Sequence, residues 1–191
     1  MAGLVLIPDE DTCTLLARFH DYADTLPGRG GLSGVDLRRH RPHLTLWQSP
    51  VLSGAARAAA NAVPGPGTTS LGRLYEQGGG WVFAACPVPH DWHRTAMTEL
   101  RPFVDLRAAE DAGAGEGCTP VQEAAYYAHG YRYADEQYDP HITVGRGSAS
   151  AELRAWWNDH AAGHRVTWTG CEFVTAGEHG TIAEVLFSRT L

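Results

Sequence analysis

The chain has 191 residues, 43% of them hydrophobic, and a formal net charge of −7 at pH 7. This length and hydrophobic content are enough for one domain with a sizeable core. The acidic balance disfavours long nucleic acid as a partner, because proteins that hold it present clustered cations to the phosphates, but it leaves a small nucleotide or short oligonucleotide possible.

Hydrophobic periodicity and turn residues divide the chain into helices and strands. In chain order we predict a strand at Leu4–Ile7, a helix starting at residues 9–11 and running through Ala23, a loop at Pro27–Gly34, a strand at Pro42–Trp47, a helix at Ala55–Val63, strands at Ser70–Glu76 and Trp81–Cys86, a helix at Asp91–Leu106 that Pro102 kinks or ends, a loop at 109–119, a helix at Val121–His129, a strand at Tyr138–Val144, a helix at Ala149–Ala161 and a closing hairpin of Arg165–Thr175 and Thr181–Thr190. Mixed helices and hairpins indicate an α+β fold.

The cysteines and the first residues disfavour several other protein classes. The four cysteines, at positions 13, 86, 118 and 171, are isolated, which disfavours structural zinc and a disulfide framework. The apolar stretch Leu4–Ile7 is too short for a signal peptide or a membrane anchor. We therefore expect a soluble, cytoplasmic, monomeric protein with no cofactor, metal or membrane partner.

Two nearly identical pentapeptides, one in each half of the chain, carry the functional prediction. They are Pro42-His43-Leu44-Thr45-Leu46 and Pro140-His141-Ile142-Thr143-Val144. Alternate side chains of a strand point to the same side, so each His shares a face with its Thr over a buried apolar pair. If the two halves face each other, two imidazoles and two hydroxyls meet in one cleft.

A His-x-Thr pattern alone is not diagnostic in this chain. It also occurs as His93-Arg94-Thr95, inside a helical pattern, and as His179-Gly180-Thr181, at a predicted hairpin turn. Neither has the preceding proline or the flanking apolar pair, so we assign no chemistry to them.

The paired motifs suit phosphodiester cleavage without a metal. One neutral imidazole removes a proton from water or a hydroxyl, and the other, protonated, donates to the leaving oxygen, since an ordinary histidine pKa near 6.5 makes both forms accessible. The hydroxyls of Thr45 and Thr143 would bind the non-bridging oxygens. The alternative is that His43 and His141 are ordinary strand residues satisfied by a neighbouring Thr.

The two motifs resemble those of the two-histidine phosphoesterase superfamily, which includes bacterial 2′-5′ RNA ligase-like proteins and the cyclic phosphodiesterases of plants and yeast. Residues 141–146, His-Ile-Thr-Val-Gly-Arg, are similar to the second motif of the RNA ligase-like branch. The resemblance implies one domain over residues 1–191, with two pseudo-twofold lobes, antiparallel sheets lining a central cleft, and helices outside. It also implies that His43 and His141 hydrolyse a 2′,3′-cyclic phosphate or a 2′-5′ linkage.

Residues near the motifs are candidate substrate contacts, each with a structural alternative. Trp47 has the strand parity of His43, so it stacks on a base or else packs at a lobe edge. Arg146 reaches phosphate only if the chain bends at Gly145. Residues 38–41, the densest cationic run, are expected to be a solvated loop.

An aromatic and basic cluster precedes the second motif. For this cluster we favour packing of a helix onto the sheet. Substrate recognition is the alternative, with Tyr127 as the candidate contact. The cluster consists of Tyr126, Tyr127, His129, Tyr131, Arg132 and Tyr133.

Two other functional classes compete with the enzyme. A non-catalytic nucleotide-binding or regulatory protein could use the same cleft, but a binding pocket has no need of two titrating groups. A metal-dependent hydrolase would need a ligand set, but the sequence contains no His-Glu-x-x-His pair, and the carboxylates near the motifs, Asp36 and Asp139, do not form one.

Overall fold

The computed structural model describes residues 1–113 and 117–191 and has the predicted α+β fold. Its strands are β1 Ala2–Pro8, β2 Leu32–Ser33, β3 Leu44–Ser49, β4 Thr68–Ser70, β5 Leu74–Gln77, β6 Trp81–Ala85, β7 His141–Gly147, β8 Arg165–Ala176 and β9 Ile182–Thr190. Its helices are α1 Glu10–Asp24, α2 Ala55–Ala59, α3 His90–Leu100, α4 Leu106–Ala112, α5 Pro120–His129 and α6 Ala151–His160. Among the described residues, no helix has the length and apolar character needed to traverse a bilayer.

The two motif strands are neighbours in the middle of an antiparallel sheet. The strand order is β4-β8-β1-β3-β7-β6-β5, with β2 beside β7 and β9 beside β8. The two halves meet where Leu44 of β3 lies opposite Ile142 of β7. Both motifs therefore lie at the same place on the sheet.

Alternation along the strands separates the core from the motif face. Leu4 and Leu6 of β1 and Leu44 of β3 are fully buried in the main core, against the helices. Val5 pairs with Thr45 on the other face, where Val5 and Ile7 belong to a small separate apolar cluster. The hydroxyl of the first motif thus lies on the face away from the main core.

A β-bulge interrupts β3 directly after its threonine. Leu4 pairs with Trp47 and Val5 pairs with Thr45, so Leu46 is the extra residue. A bulge puts two residues opposite one and thereby reverses the alternation beyond it. Trp47 consequently points to the opposite face from the one predicted.

A second bulge interrupts β7 at the equivalent position. Val82 pairs with Gly145 and Phe83 pairs with Thr143, so Val144 is the extra residue. Both motif strands thus have the same irregularity one residue after the threonine. The repeat seen in the sequence extends to the backbone.

Two predicted boundaries are wrong. The predicted strand Ser70–Glu76 is two strands, since Leu71 is buried and donates its N–H to His164 O, and Gly72 donates to Ala85 O. The Ala-rich helix ends at Ala59 instead of Val63.

The region after α3 also differs from prediction. The helix predicted to reach Leu106 ends at Leu100, and a 3₁₀ turn containing Pro102 follows. Asp105 then caps a new helix, α4, by accepting a hydrogen bond from the N–H of Ala108. The predicted loop 109–119 therefore begins as helix, and residues 114–116 of it lie outside the described residues.

Candidate active site

His43 and His141 are held by their own backbone in the same way. Nδ1 of His43 lies 3.0 Å from the carbonyl oxygen of Arg41, and Nδ1 of His141 lies 2.5 Å from that of Asp139. A carbonyl oxygen only accepts, so Nδ1 carries a proton in both rings and Nε2 remains for chemistry. Because a proline with a fixed φ lies between each carbonyl and its ring, this arrangement explains the proline of each motif.

Both histidines and both threonines line one cavity of about 310 Å³. The floor consists of His43, Thr45, His141 and Thr143, from the central strands β3 and β7. The walls come from the end of β3, from β6, from the segment between α5 and residue 133 and from the tip of the β8–β9 hairpin. They include Gln48, Trp81, Phe83, Tyr126, Tyr131, Arg132, Tyr133, His179 and Gly180. The structure thus brings together the four motif side chains that the sequence pairs.

Burial lowers the pKa of both histidines. For His141 the pKa falls to about 4, since burial outweighs the opposing effects of the Asp139 carboxylate and carbonyl, and Arg132 and His43 lower it further. Burial also lowers the pKa of His43, against hydrogen bonds to the backbone of Arg41 and Gly180 that raise it. The electrostatic effect of His43 on His141 agrees with their position in one cavity.

Aromatic rings surround His141 on several sides. Phe83 stacks on it with ring centroids 3.8 Å apart, and Tyr133 lies edge-on at 5.7 Å. Tyr75 lies edge-on at 6.5 Å and donates its hydroxyl to Asp139 Oδ2 at 2.6 Å. The rings fix the orientation of the imidazole and provide the apolar surroundings that favour its neutral form.

His93, which the sequence assigned no chemistry, holds the bulge of the first motif. Its Nδ1 donates to Leu46 O at 2.7 Å, and its Nε2 accepts from the N–H of Asp135 at 3.0 Å. Tyr138 stacks on His93 with centroids 4.0 Å apart and donates its hydroxyl to Thr45 O at 3.3 Å. This pair of side chains holds the two peptide groups on either side of the bulge residue Leu46.

Trp47 does not reach the cavity, so this predicted contact is wrong. Its side chain is 0% exposed in the core, with its ring stacked 6.4 Å from that of Phe173. The extra residue Leu46 moves it to the core face, and Gln48 lines the cavity in its place. Nothing in the sequence pattern marks the bulge.

Tyr127 is also wrongly predicted, while its neighbours line the cavity. Tyr127 is 46% exposed on the outer side of α5, whereas Tyr126 is buried and faces the cavity. Tyr131 and Tyr133 are buried in the main core, as the packing interpretation predicts, and they line the cavity together with Arg132. Adjacent helical residues point about 100° apart, which separates the two tyrosines of α5.

Arg146 lies at the rim and is not among the residues that line the cavity. Its Nη2 donates to Gly79 O at 3.0 Å, and its guanidinium carbon lies 4.9 Å from the centroid of the Trp81 ring. The predicted role of Arg146 in phosphate binding is therefore not supported by its position outside the cavity lining. Arg146 instead supports Trp81, which does line the cavity.

Two of the four residues of the cationic run at 38–41 are engaged in ion pairs, so the run is not a purely solvated loop. Arg38 pairs with Asp21, Asp24 and Asp36. Arg41 binds both oxygens of the buried Glu172, at 2.7 and 2.9 Å. These pairs fix the segment that leads into the first motif.

His179 lines the cavity although the sequence analysis assigned it no chemistry. It belongs to the fourth His-x-Thr pattern of the chain, for which the sequence predicts only a turn. The turn exists, and it places the ring in the wall of the cavity. Among the described residues, no three His, Cys, Asp or Glu side chains form a group that could hold a metal ion.

The fold matches solved structures of bacterial proteins at low sequence identity. Apo LigT of Escherichia coli has a TM-score of 0.57 and 15% identity over 100% of this chain and 96% of LigT. LigT complexed with 3′-AMP gives 0.55 and 15% over the same shares, and TT0787 of Thermus thermophilus gives 0.51 and 17% over 100% of this chain and 97% of TT0787. No family model and no curated protein matches the sequence. The fold implied by the resemblance to RNA ligase-like proteins is therefore confirmed.

Proposed function

We propose that this protein is a two-histidine phosphoesterase that hydrolyses a small phosphodiester, with His43 and His141 as proton donor and acceptor. One observation carries the proposal: both imidazoles are fixed through Nδ1 to the carbonyl two residues before them and line the same cavity. Two unrelated strand histidines are not expected to share both this backbone hydrogen bond and one cavity. The fold in common with LigT supports the same conclusion.

The surroundings of the two rings favour different roles. His141, with a pKa of about 4, is neutral near pH 7 and suits the base that takes a proton from water. His43 then donates a proton to the leaving oxygen. An anionic diester next to His43 raises its pKa, so His43 takes up the required proton from solvent when the substrate binds. The hydroxyls of Thr45 and Thr143 bind the non-bridging oxygens as charge develops.

The cavity fits a nucleotide better than a long nucleic acid. Its volume of about 310 Å³ is at the lower end of the roughly 300–1,000 Å³ of ligand pockets. Tyr126, Tyr131 and Tyr133 offer ring surfaces for a base. LigT has been solved with phosphate, 3′-AMP, NADP+ and ATP. Together with the net charge of −7, this favours 2′,3′-cyclic nucleotides or short 2′-5′-linked oligomers as substrates.

The test is a substrate panel assayed in excess EDTA. The panel contains 2′,3′-cyclic nucleotides, 2′-5′-linked dinucleotides and cyclic dinucleotides. We expect hydrolysis of at least one compound with no loss on chelation, since no step of the proposed mechanism uses a metal. No turnover of any compound, or turnover abolished by EDTA and restored by a divalent cation, would contradict the proposal.

Variants of the two imidazoles then separate catalysis from binding. His43→Ala and His141→Ala should each lower kcat by about 10²–10⁴-fold while nucleotide binding is kept, because each removes one proton transfer. His160→Ala, which removes an exposed imidazole on α6, is the matched control. Turnover unchanged in either motif variant would leave a binding protein as the better account.

A further inference from the structure

The tip of the β8–β9 hairpin extends over the motif floor. Its turn, Glu178–Gly180, places His179 and Gly180 in the wall of the main cavity. Gly180 also lies beside His43, since its backbone raises the pKa of that imidazole and both residues line one small hollow. The turn is therefore in direct contact with one of the two proposed catalytic groups.

His179 has a backbone conformation that is unfavourable for its side chain. Its φ of 58° lies in the left-handed region, where only two other described non-glycine residues, Arg29 and Asp135, are found. Three hydrogen bonds across the turn maintain it: Gly177 N–H donates to Thr181 O, and the Thr181 N–H and hydroxyl both donate to Glu178 O. A strained residue kept by its surroundings next to a reacting centre is typical of a functional position.

A second, smaller hollow joins His179 to the reacting groups. It has a volume of about 10 Å³, and His43, Thr143, His179 and Thr181 all contribute to its lining. This is room for roughly one water molecule. A group bound between the motif residues and the hairpin is thus within reach of the third imidazole.

The ring of His179 already has an anionic partner from its own turn. Its Nε2 lies 3.3 Å from Oε1 of Glu178, a carboxylate that is 87% exposed. Trp81 packs edge-on against the ring with centroids 6.0 Å apart and limits its rotation. An exposed carboxylate held this weakly is easily replaced by a bound phosphate oxygen, which accepts hydrogen bonds in the same way.

We infer that His179 is a third phosphate-contacting imidazole, which binds an anionic oxygen of the substrate and of the phosphomonoester product in place of Glu178. It takes no part in proton transfer and sets affinity. The assignment of substrate and product rests on the proposed function, whereas the phosphate contact itself can be tested with inorganic phosphate alone.

Calorimetric titration of inorganic phosphate into the full-length protein tests the contact. His179→Asn removes the ring, and asparagine tolerates the left-handed backbone, so the turn is kept. We expect about a tenfold weaker affinity, as for loss of one charge-assisted hydrogen bond. Glu178→Gln removes the competing carboxylate and should strengthen binding about twofold to fivefold.

Arg29→Asn is the matched control, because it places asparagine at a left-handed position outside the cavity. It should leave phosphate affinity unchanged. Wild-type affinity in His179→Asn, or no phosphate binding by the wild-type protein, would overturn the inference. A loss in Arg29→Asn as large as that in His179→Asn would overturn it as well.

Kinetics with a hydrolysed 2′,3′-cyclic nucleotide separate this inference from the proposed function. His179→Asn should raise KM about tenfold with kcat within about threefold of wild type, which is the pattern of lost binding. A wild-type protein that hydrolyses nothing but loses phosphate affinity in His179→Asn contradicts the proposed function alone. Hydrolysis with KM and phosphate affinity independent of His179 contradicts this inference alone.

Discussion

Acidification from about pH 7.5 to about 4.5 is expected to remove about 2.5 kcal/mol of folding free energy through His93 alone. His93 is 0% exposed, and both ring nitrogens are used: Nδ1 donates to Leu46 O and Nε2 accepts from the N–H of Asp135. A second proton on Nε2 would point at another N–H donor and destroy that bond. Burial accordingly lowers the pKa of His93 from 6.5 to about 4.

The sign follows from proton binding in the two states. The folded pKa lies below the unfolded pKa, so between about pH 6.5 and pH 4 the unfolded chain binds more protons than the folded one. Stability therefore falls as the pH falls through this window. Integrating between about pH 7.5 and 4.5 with pKa values of 6.5 and about 4 gives the 2.5 kcal/mol, to an order of magnitude.

Urea unfolding of His93→Gln at both pH values measures this contribution. Glutamine supplies one donor and one acceptor but does not titrate. We expect the variant to be about 1–3 kcal/mol less stable near pH 7.5, and to lose about 2.5 kcal/mol less than wild type on acidification. Other buried histidines, such as His20, titrate in both proteins and cancel in the difference. His160→Gln, at an exposed site, should keep the wild-type loss, and an equal loss in His93→Gln would refute the reasoning.

The remaining predictions concern the cavity. kcat/KM reports the free enzyme, and the active form has one imidazole protonated, so its pH profile should be bell-shaped. Because burial lowers the pKa of both histidines, that of His141 to about 4, the optimum should lie on the acid side of neutrality. An optimum above pH 7 speaks against the assigned roles. Tyr126 lines the cavity, and its buried hydroxyl has no hydrogen-bond partner among the described residues. Tyr126→Phe removes this hydroxyl and should raise KM for the hydrolysed nucleotide about fivefold with unchanged kcat. An unchanged KM would show that the hydroxyl makes no substrate contact.

The features that were predictable from sequence are those encoded in adjacent residues. The histidine and threonine of each motif are two positions apart in one strand, and local alternation places them on one face. The helices α1, α5 and α6 follow from apolar spacing and from capping residues such as Asp9, Thr119 and Ser150. Neither the shared face of the motif residues nor the position of these helices requires long-range information.

The features that were missed depend on pairing with distant strands. Trp47 was misplaced because the bulge at Leu46 exists only through the register of β3 against β1. His179 was missed because its position in the cavity depends on how far β8 and β9 extend beyond the sheet. The sequence marks the turn but contains no local sign of what the turn faces.

The central place of β1 between β3 and β8 has a consequence for how the molecule assembles. Leu4 pairs with Trp47 on one side and with Phe173 on the other, so β1 is held between one strand that is near in sequence and one that is far away along the chain. Contacts so distant in sequence form slowly, because the chain entropy of a large loop is lost before any pairing is gained. The half of the sheet that bears His43 is therefore completed only late in folding, and a nascent chain that already contains both motifs still lacks one strand of the framework that supports them.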